Sequence, residues 1–147
     1  MEKKSKRKDA IRGIIRDLNI KTQARLVEEL HKLGYSCTQA TVSRDIADLS
    51  LEKNSQGRYV LPEDLYLRRM LTDLVKEIVA AGNLVLIKTA PGTASGVAAA
   101  LDDAKLKDVL GSVAGDDTVL AVCESPQQAE LFISKIRNYQ ETEGETC

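Results

Sequence analysis

The sequence predicts an α/β chain, of the α+β kind, built as two modules, and three observations carry that prediction. Apolar residues at helical spacing alternate with short β-branched runs along the 147 residues, the pattern of helices packed on small sheets. The net charge of −1 at pH 7 conceals a split: residues 1–62 carry 13 Lys and Arg against 8 Asp and Glu, and residues 63–147 carry 8 against 14. Between the halves, PEDLYLRR reads as a connection, giving modules over 1–64 and 70–147 joined by a linker at 65–69.

Composition narrows the class. The chain has no long uncharged apolar run, so no membrane span is expected. Its opening, MEKKSKRKDAIRG, lacks the apolar stretch of a secretory signal. Cys37, Cys123 and Cys147 are odd in number and lack CxxC spacing. That suits reduced thiols in a cytoplasmic protein, not a disulfide framework or a zinc site. The basic front module is a candidate for a polyanion partner, although a run such as KKSKRK is often only a solvated arm.

The first helix is expected over 5–18, with Ile11, Ile14, Ile15 and Leu18 on one face. Thr22 is placed to cap a second, QARLVEELHKL, whose stripe is Leu26, Val27, Leu30 and Leu33 and whose stop is Gly34. Thr38 caps a third, QATVSRDIADL, with Val42, Ile46 and Leu49 inward. SLEK and RYVLP follow as short strands around the turn NSQG. Helices joined by a tight Gly-containing turn and followed by a small hairpin predict a winged helix-turn-helix. A three-helix bundle without a nucleic-acid role has the same periodicity. The outward face of the third helix favours DNA: Gln39, Thr41, Ser43 and Arg44 supply forked donors and hydroxyls suited to base edges and phosphates.

In the back module, Leu67, Leu71, Leu74 and Ile78 predict one amphipathic helix ending near Gly82. LVLIKT is then a buried strand, APGTAS a turn and GVAAALDDA a helix. DVLGSVA and TVLAVC are strands joined across GDD. The last helix starts at Pro126 under a Ser125 cap, with Ala129, Phe132, Ile133 and Ile136 inward. QETEGETC is expected to fray as an acidic tail. The expected order is α-β-α-β-β-α, with helices covering a small sheet. A module of about 80 residues buries little surface alone, so oligomerisation is a natural source of stability.

Enzymatic chemistry finds few carriers. The only histidine, His31, has no second histidine at metal spacing, and no GxSxG elbow or Cys/His pair is present. PGTASG lacks the endings of nucleotide loops but suits a small carboxylate at a helix N-terminus. Asp102 and Asp103, with Asp116 and Asp117 of GDD, admit three readings: solvated turn residues, part of a divalent-cation or catalytic cluster, or acceptors for an organic cation such as a guanidinium.

QATVSRDI, GRYVLP, TAPGTASGVAAALD and GSVAGDDT together resemble, in order and spacing, segments of the bacterial arginine repressor family. The resemblance spans nearly the whole chain apart from the N-terminal arm and the acidic tail. It implies a winged helix-turn-helix joined to an α+β oligomerisation domain, assembled as a homohexamer from two trimers. It implies operator DNA as one partner and L-arginine, a corepressor held between trimers, as the other, with no further cofactor and no metal. By motif, Asp116 and Asp117 would receive the guanidinium and ammonium groups, at least one of them across the trimer interface. Asp102 would help hold the α-amino end, and Ser95, Ser112 and Ala114 would line the pocket. Ser43 and Arg44, with Gln39 and Thr41 on the same face, would meet the operator. Two positions depart from the pattern: Ser95 stands where a longer amide is common and Ser112 where Thr is common. The implied function is arginine-dependent repression of arginine biosynthesis genes, extending to arginine catabolism. An activator of catabolism or an architectural DNA-binding protein would use the same scaffold.

Overall fold

The computed structural model describes residues 2–141, and the chain divides after Pro62 into two compact units. The first holds helices α1 (Glu2–Asp17), α2 (Gln23–Lys32) and α3 (Gln39–Asp48), then an antiparallel ribbon of β1 (Glu52–Lys53) and β2 (Tyr59–Val60). The expected helices are all present, and α1 starts three residues earlier than its apolar stripe suggested. Ile11, Ile14 and Ile15 of α1 meet Leu26, Leu30, Val42 and Leu49 in one core, closed by Ile20, Tyr59 and Leu61.

Local chemistry sets the helix ends. Thr22 Oγ1 accepts from Arg25 N at 3.1 Å and Thr38 Oγ1 from Thr41 N at 3.2 Å, so both expected caps satisfy a first-turn amide. At the end of α2, Gly34 N donates to His31 O and Tyr35 N to Leu30 O, a Schellman closure with Gly34 at φ 91°. The end of α3 repeats the pattern, with Ser50 N on Ala47 O and Leu51 N on Ile46 O. There, however, the left-handed position is filled by Ser50 at φ 53°. A Cβ in that conformation is strained by about 1–2 kcal/mol, partly offset in glycine by backbone entropy. Ser50→Gly is therefore expected to stabilise the first unit by about 0.5–1 kcal/mol, read as a raised urea midpoint at constant slope.

The ribbon is a true wing. Asn54 Oδ1 accepts from both Gln56 N and Arg58 N at 3.0 Å, and Gly57 turns at φ 78°. Tyr59 N donates to Ile20 O at 2.8 Å, which stitches the ribbon to the α1–α2 connection.

The second unit contains α4 (Pro62–Leu74), β3 (Val75–Ala81), β4 (Leu84–Thr89), α5 (Ala94–Asp103), β5 (Val109–Ala114), β6 (Thr118–Cys123) and α6 (Pro126–Glu141). Residues 65–69, read as a linker, are helical within α4. One expectation is corrected here. Residues 75–81, read as the continuation of that helix, form β3, so the order is α-β-β-α-β-β-α. The helical spacing of Leu67, Leu71 and Leu74 runs on by coincidence to Ile78. Val75, Ile78 and Val79 instead favour a strand, and pairing Ile78 with Ile87 and Val79 with Leu86 across the Gly82 turn wins.

The sheet is antiparallel throughout, in the order β3-β4-β6-β5. Val85, Ile87, Val119, Ala121 and Cys123 point to one face and are buried with Val97, Leu101, Phe132 and Ile136 of α5 and α6. Leu67 and Leu71 of α4 join that core. Ser125 Oγ caps α6 by accepting from Gln128 N at 3.2 Å, and the expected inner stripe is buried. The start of the expected frayed tail, Gln140 and Glu141, is helical, with Gln140 Nε2 donating to Leu71 O at 3.2 Å. The rest of that tail, with Cys147, lies outside the described residues. On the opposite sheet face the register aligns Val79, Leu86, Leu120 and Val113 in an apolar row across all four strands. Its two ends are open, with Val79 41% and Val113 67% exposed.

Candidate functional site

Each unit gathers one set of candidate residues. On α3, Gln39, Ser43 and Arg44 are exposed, and Thr41 is half-buried with its hydroxyl 3.1 Å from that of Thr38. Gln39, Ser43 and Arg44 are therefore outward as the helical spacing predicts, whereas Thr41 is less open than expected. The inward face carries a residue that the spacing missed. Asp45 is fully buried beside Val42, and Arg7 of α1 holds its carboxylate with a forked pair, Nε to Oδ2 and Nη2 to Oδ1, the latter at 3.0 Å. Hydrogen bonding to Asp45 pushes the Arg7 guanidinium above its ordinary value, against the opposing effect of burial. One turn on, Asp48 meets Lys8 at 3.1 Å and Lys4 at 3.7 Å. The hydrogen bond from Lys8 holds the Asp48 carboxyl below the usual carboxylate range. Two acids three residues apart on α3, opposite a basic helix, were the available signal. His31 is exposed, and its Nε2 lies 2.9 Å from Cys37 O across the turn before α3.

In the second unit, the two motifs read separately in the sequence come together. Three amides of one segment bond the other: Thr89 N to Asp117 O at 2.8 Å, Gly92 N to Asp116 Oδ2 at 3.3 Å and Ala94 N to Asp116 O at 3.1 Å. Gly92 turns the chain at φ 77° and donates its amide to a carboxylate. Here that amide is occupied by the chain's own Asp116 carboxylate. The free carboxylate expected to bind at PGTASG thus meets a turn already neutralised in part. Among the described residues, Asp117 Oδ1 accepts only from its neighbour, the Thr118 hydroxyl, at 3.0 Å.

Ser95, Ala99 and Asp102 follow at helical spacing as one exposed stripe of α5, which starts beside the GDD turn. At the far end of that stripe, Asp102 and Ser112 line a cleft of about 210 Å³ together with Lys105, Leu106, Leu110 and Phe132. The Ser112 hydroxyl is buried without a hydrogen-bond partner among the described residues. Ala114 is exposed on β5, one residue before the Gly115 turn. The candidates therefore form two clusters. Ser95, Asp116 and Asp117 lie around the turn, and Asp102 and Ser112 lie two helical turns away, roughly 10 Å along α5. Among the described residues, no Lys or Arg pairs with Asp102, Asp116 or Asp117. Nor do these residues bring together three or more His, Cys, Asp or Glu able to hold a metal, and no helix is long and apolar enough to cross a membrane.

Comparison with known proteins bears on both units. The family model for the arginine repressor DNA binding domain matches residues 2–66, and that for the arginine repressor C-terminal domain matches residues 71–138. An arginine repressor of Thermus thermophilus is 43% identical over 143 residues, covering 90% of this chain and 87% of the relative. The chain belongs to the arginine repressor family. Arginine repressors of Halothermothrix orenii and Bacillus pumilus are 38% and 40% identical, covering 92% and 90% of this chain and 97% and 96% of theirs. The first unit is thus the DNA-binding domain of an arginine repressor family protein. The second is the family's C-terminal domain. These relatives are named as repressors, not as enzymes.

Proposed function

We propose that the protein is a cytoplasmic, L-arginine-dependent repressor of arginine biosynthesis genes, with L-arginine as corepressor. What carries the ligand reading is the set of carboxylates of Asp102, Asp116 and Asp117, exposed and without a cationic partner among the described residues. Ionised carboxylates accept from a guanidinium in a fork, and a zwitterion with a basic side chain satisfies acids at both ends of a short ridge. The buried, unpartnered Ser112 hydroxyl adds a polar group in the cleft beside Asp102.

An open apolar row on the sheet supports the same reading. The open apolar row Val79–Leu86–Leu120–Val113 is a surface that a second and third copy would cover, in keeping with a hexamer of two trimers. Ligand held between trimers would bind one arrangement of the hexamer better than the other, and that difference in affinity raises operator affinity. Several DNA-binding domains on one assembly then add avidity.

The test is titration calorimetry with L-arginine on wild type and Asp117→Asn. Wild type is expected to bind. Removing the charge costs about 1.5–3 kcal/mol, a roughly 10–100-fold rise in Kd. Equal affinities would remove Asp117 from the site.

A further inference from the structure

We infer that Lys4, Arg7 and Lys8 of the basic run opening α1 form a clamp that sets the angle of α3, and are not the part of the run that grips DNA. The inference rests on α3 as the operator-reading helix. Lys4, Arg7 and Lys8 share one face of α1, and each pairs with an acid of α3: Arg7 with Asp45, Lys4 and Lys8 with Asp48. The inner pair is enclosed, with the Asp45 side chain 1% and the Arg7 side chain 17% exposed. A forked guanidinium–carboxylate pair fixes orientation as well as distance. Asp45 directly follows Arg44, so the pair sets the direction in which Arg44 leaves the helix.

Further bonds extend the clamp along α1. Tyr35, in the turn before α3, donates from Oη to Lys6 O at 3.3 Å, one residue before Arg7. Arg58 of the wing donates from Nη2 to Ile15 O at 3.3 Å near the other end of the helix. One rigid helix therefore carries α3 at its start and the wing at its end. Cations engaged with carboxylates in this way are withdrawn from the pool that contacts phosphates.

The experiment measures binding of the full-length protein, in saturating L-arginine, to a fluorescein-labelled promoter duplex from an arginine biosynthesis gene, by anisotropy across a NaCl series. Arg7→Leu is expected to weaken binding about tenfold with an unchanged slope of log K against log salt, because no phosphate contact is lost. Arg7→Lys, which keeps the charge but not the fork, restores only part of the affinity. Asp45→Asn and Asp48→Asn remove an acid near DNA and yet weaken binding. Asp48 is exposed, so its variant keeps the test available if Arg7→Leu fails to fold. A slope reduced by about 0.9 per engaged domain in Arg7→Leu, unchanged affinity, or tighter binding by either Asn variant overturns the clamp. Wild type that does not bind the duplex, or Arg44→Ala that binds it equally well, overturns the reading of α3 instead.

Discussion

Phe132→Ala is expected to destabilise the second unit by about 3–5 kcal/mol, the range for removing a buried aromatic side chain. Phe132 is the only phenylalanine of the chain, fully buried on α6 against the sheet. Ala100, Ala104, Ala121 and Ala129 belong to the same core. Side chains that short cannot swing into the space left behind, so the loss falls at the upper end of the range. Domains of this size hold only about 5–15 kcal/mol in total, so one substitution removes a third or more. Urea unfolding of the full chain followed by circular dichroism would show an earlier transition for the second unit. The first unit has its own core, centred on Ile11, Ile20, Leu26 and Leu30, and its transition stays in place. A shift of under about 1 kcal/mol would mean that the site collapses around the smaller residue.

Arg44→Ala is expected to give the largest loss of operator binding. A forked Arg contact to a base is worth about 1–3 kcal/mol per domain, and the loss repeats in every domain that engages DNA. Arg44 is exposed on α3 and has no carboxylate partner among the described residues, unlike Arg7, Arg12 and Arg25. Its guanidinium is therefore available to a base or phosphate, and its removal leaves the core untouched. A mobility shift should register about a tenfold loss or more, while calorimetry with L-arginine stays as in wild type. If operator binding were unchanged, the outward face of α3 would not be the reading surface.

Much of this architecture is legible in the chain, for physical reasons that differ by element. Thr22, Gly34, Thr38 and Ser125 announce their helix ends because capping is local chemistry between residues a few positions apart. The stripes of α2, α3 and α6 are visible because each helix buries one face. β3 is not, because Leu67 to Ile78 keeps helical spacing across the junction at Leu74. Only pairing with β4, a contact through the Gly82 turn, decides it. The wing was visible as two short strands around NSQG, but the Asn54 bonds that shape it need the folded turn.

Site residues divide in the same way. The outward positions of α3 follow from periodicity. The bond from Gly92 to Asp116 and the salt bridge from Arg7 to Asp45 join residues 24 and 38 positions apart, and no local pattern encodes them. Of the two departures, Ser95 is exposed at the start of α5, whereas the Ser112 hydroxyl is buried with no partner among the described residues.

The central claim is that ligand binding in the second unit controls DNA binding by the first, so it is tested most directly by measuring both at once. Operator affinity of wild type and Asp117→Asn, with and without saturating L-arginine, gives that coupling. The account predicts about 5–150-fold tighter binding with arginine for wild type, the usual span of allosteric coupling, and a much smaller gain for Asp117→Asn. Equal operator affinity of wild type with and without arginine would contradict it.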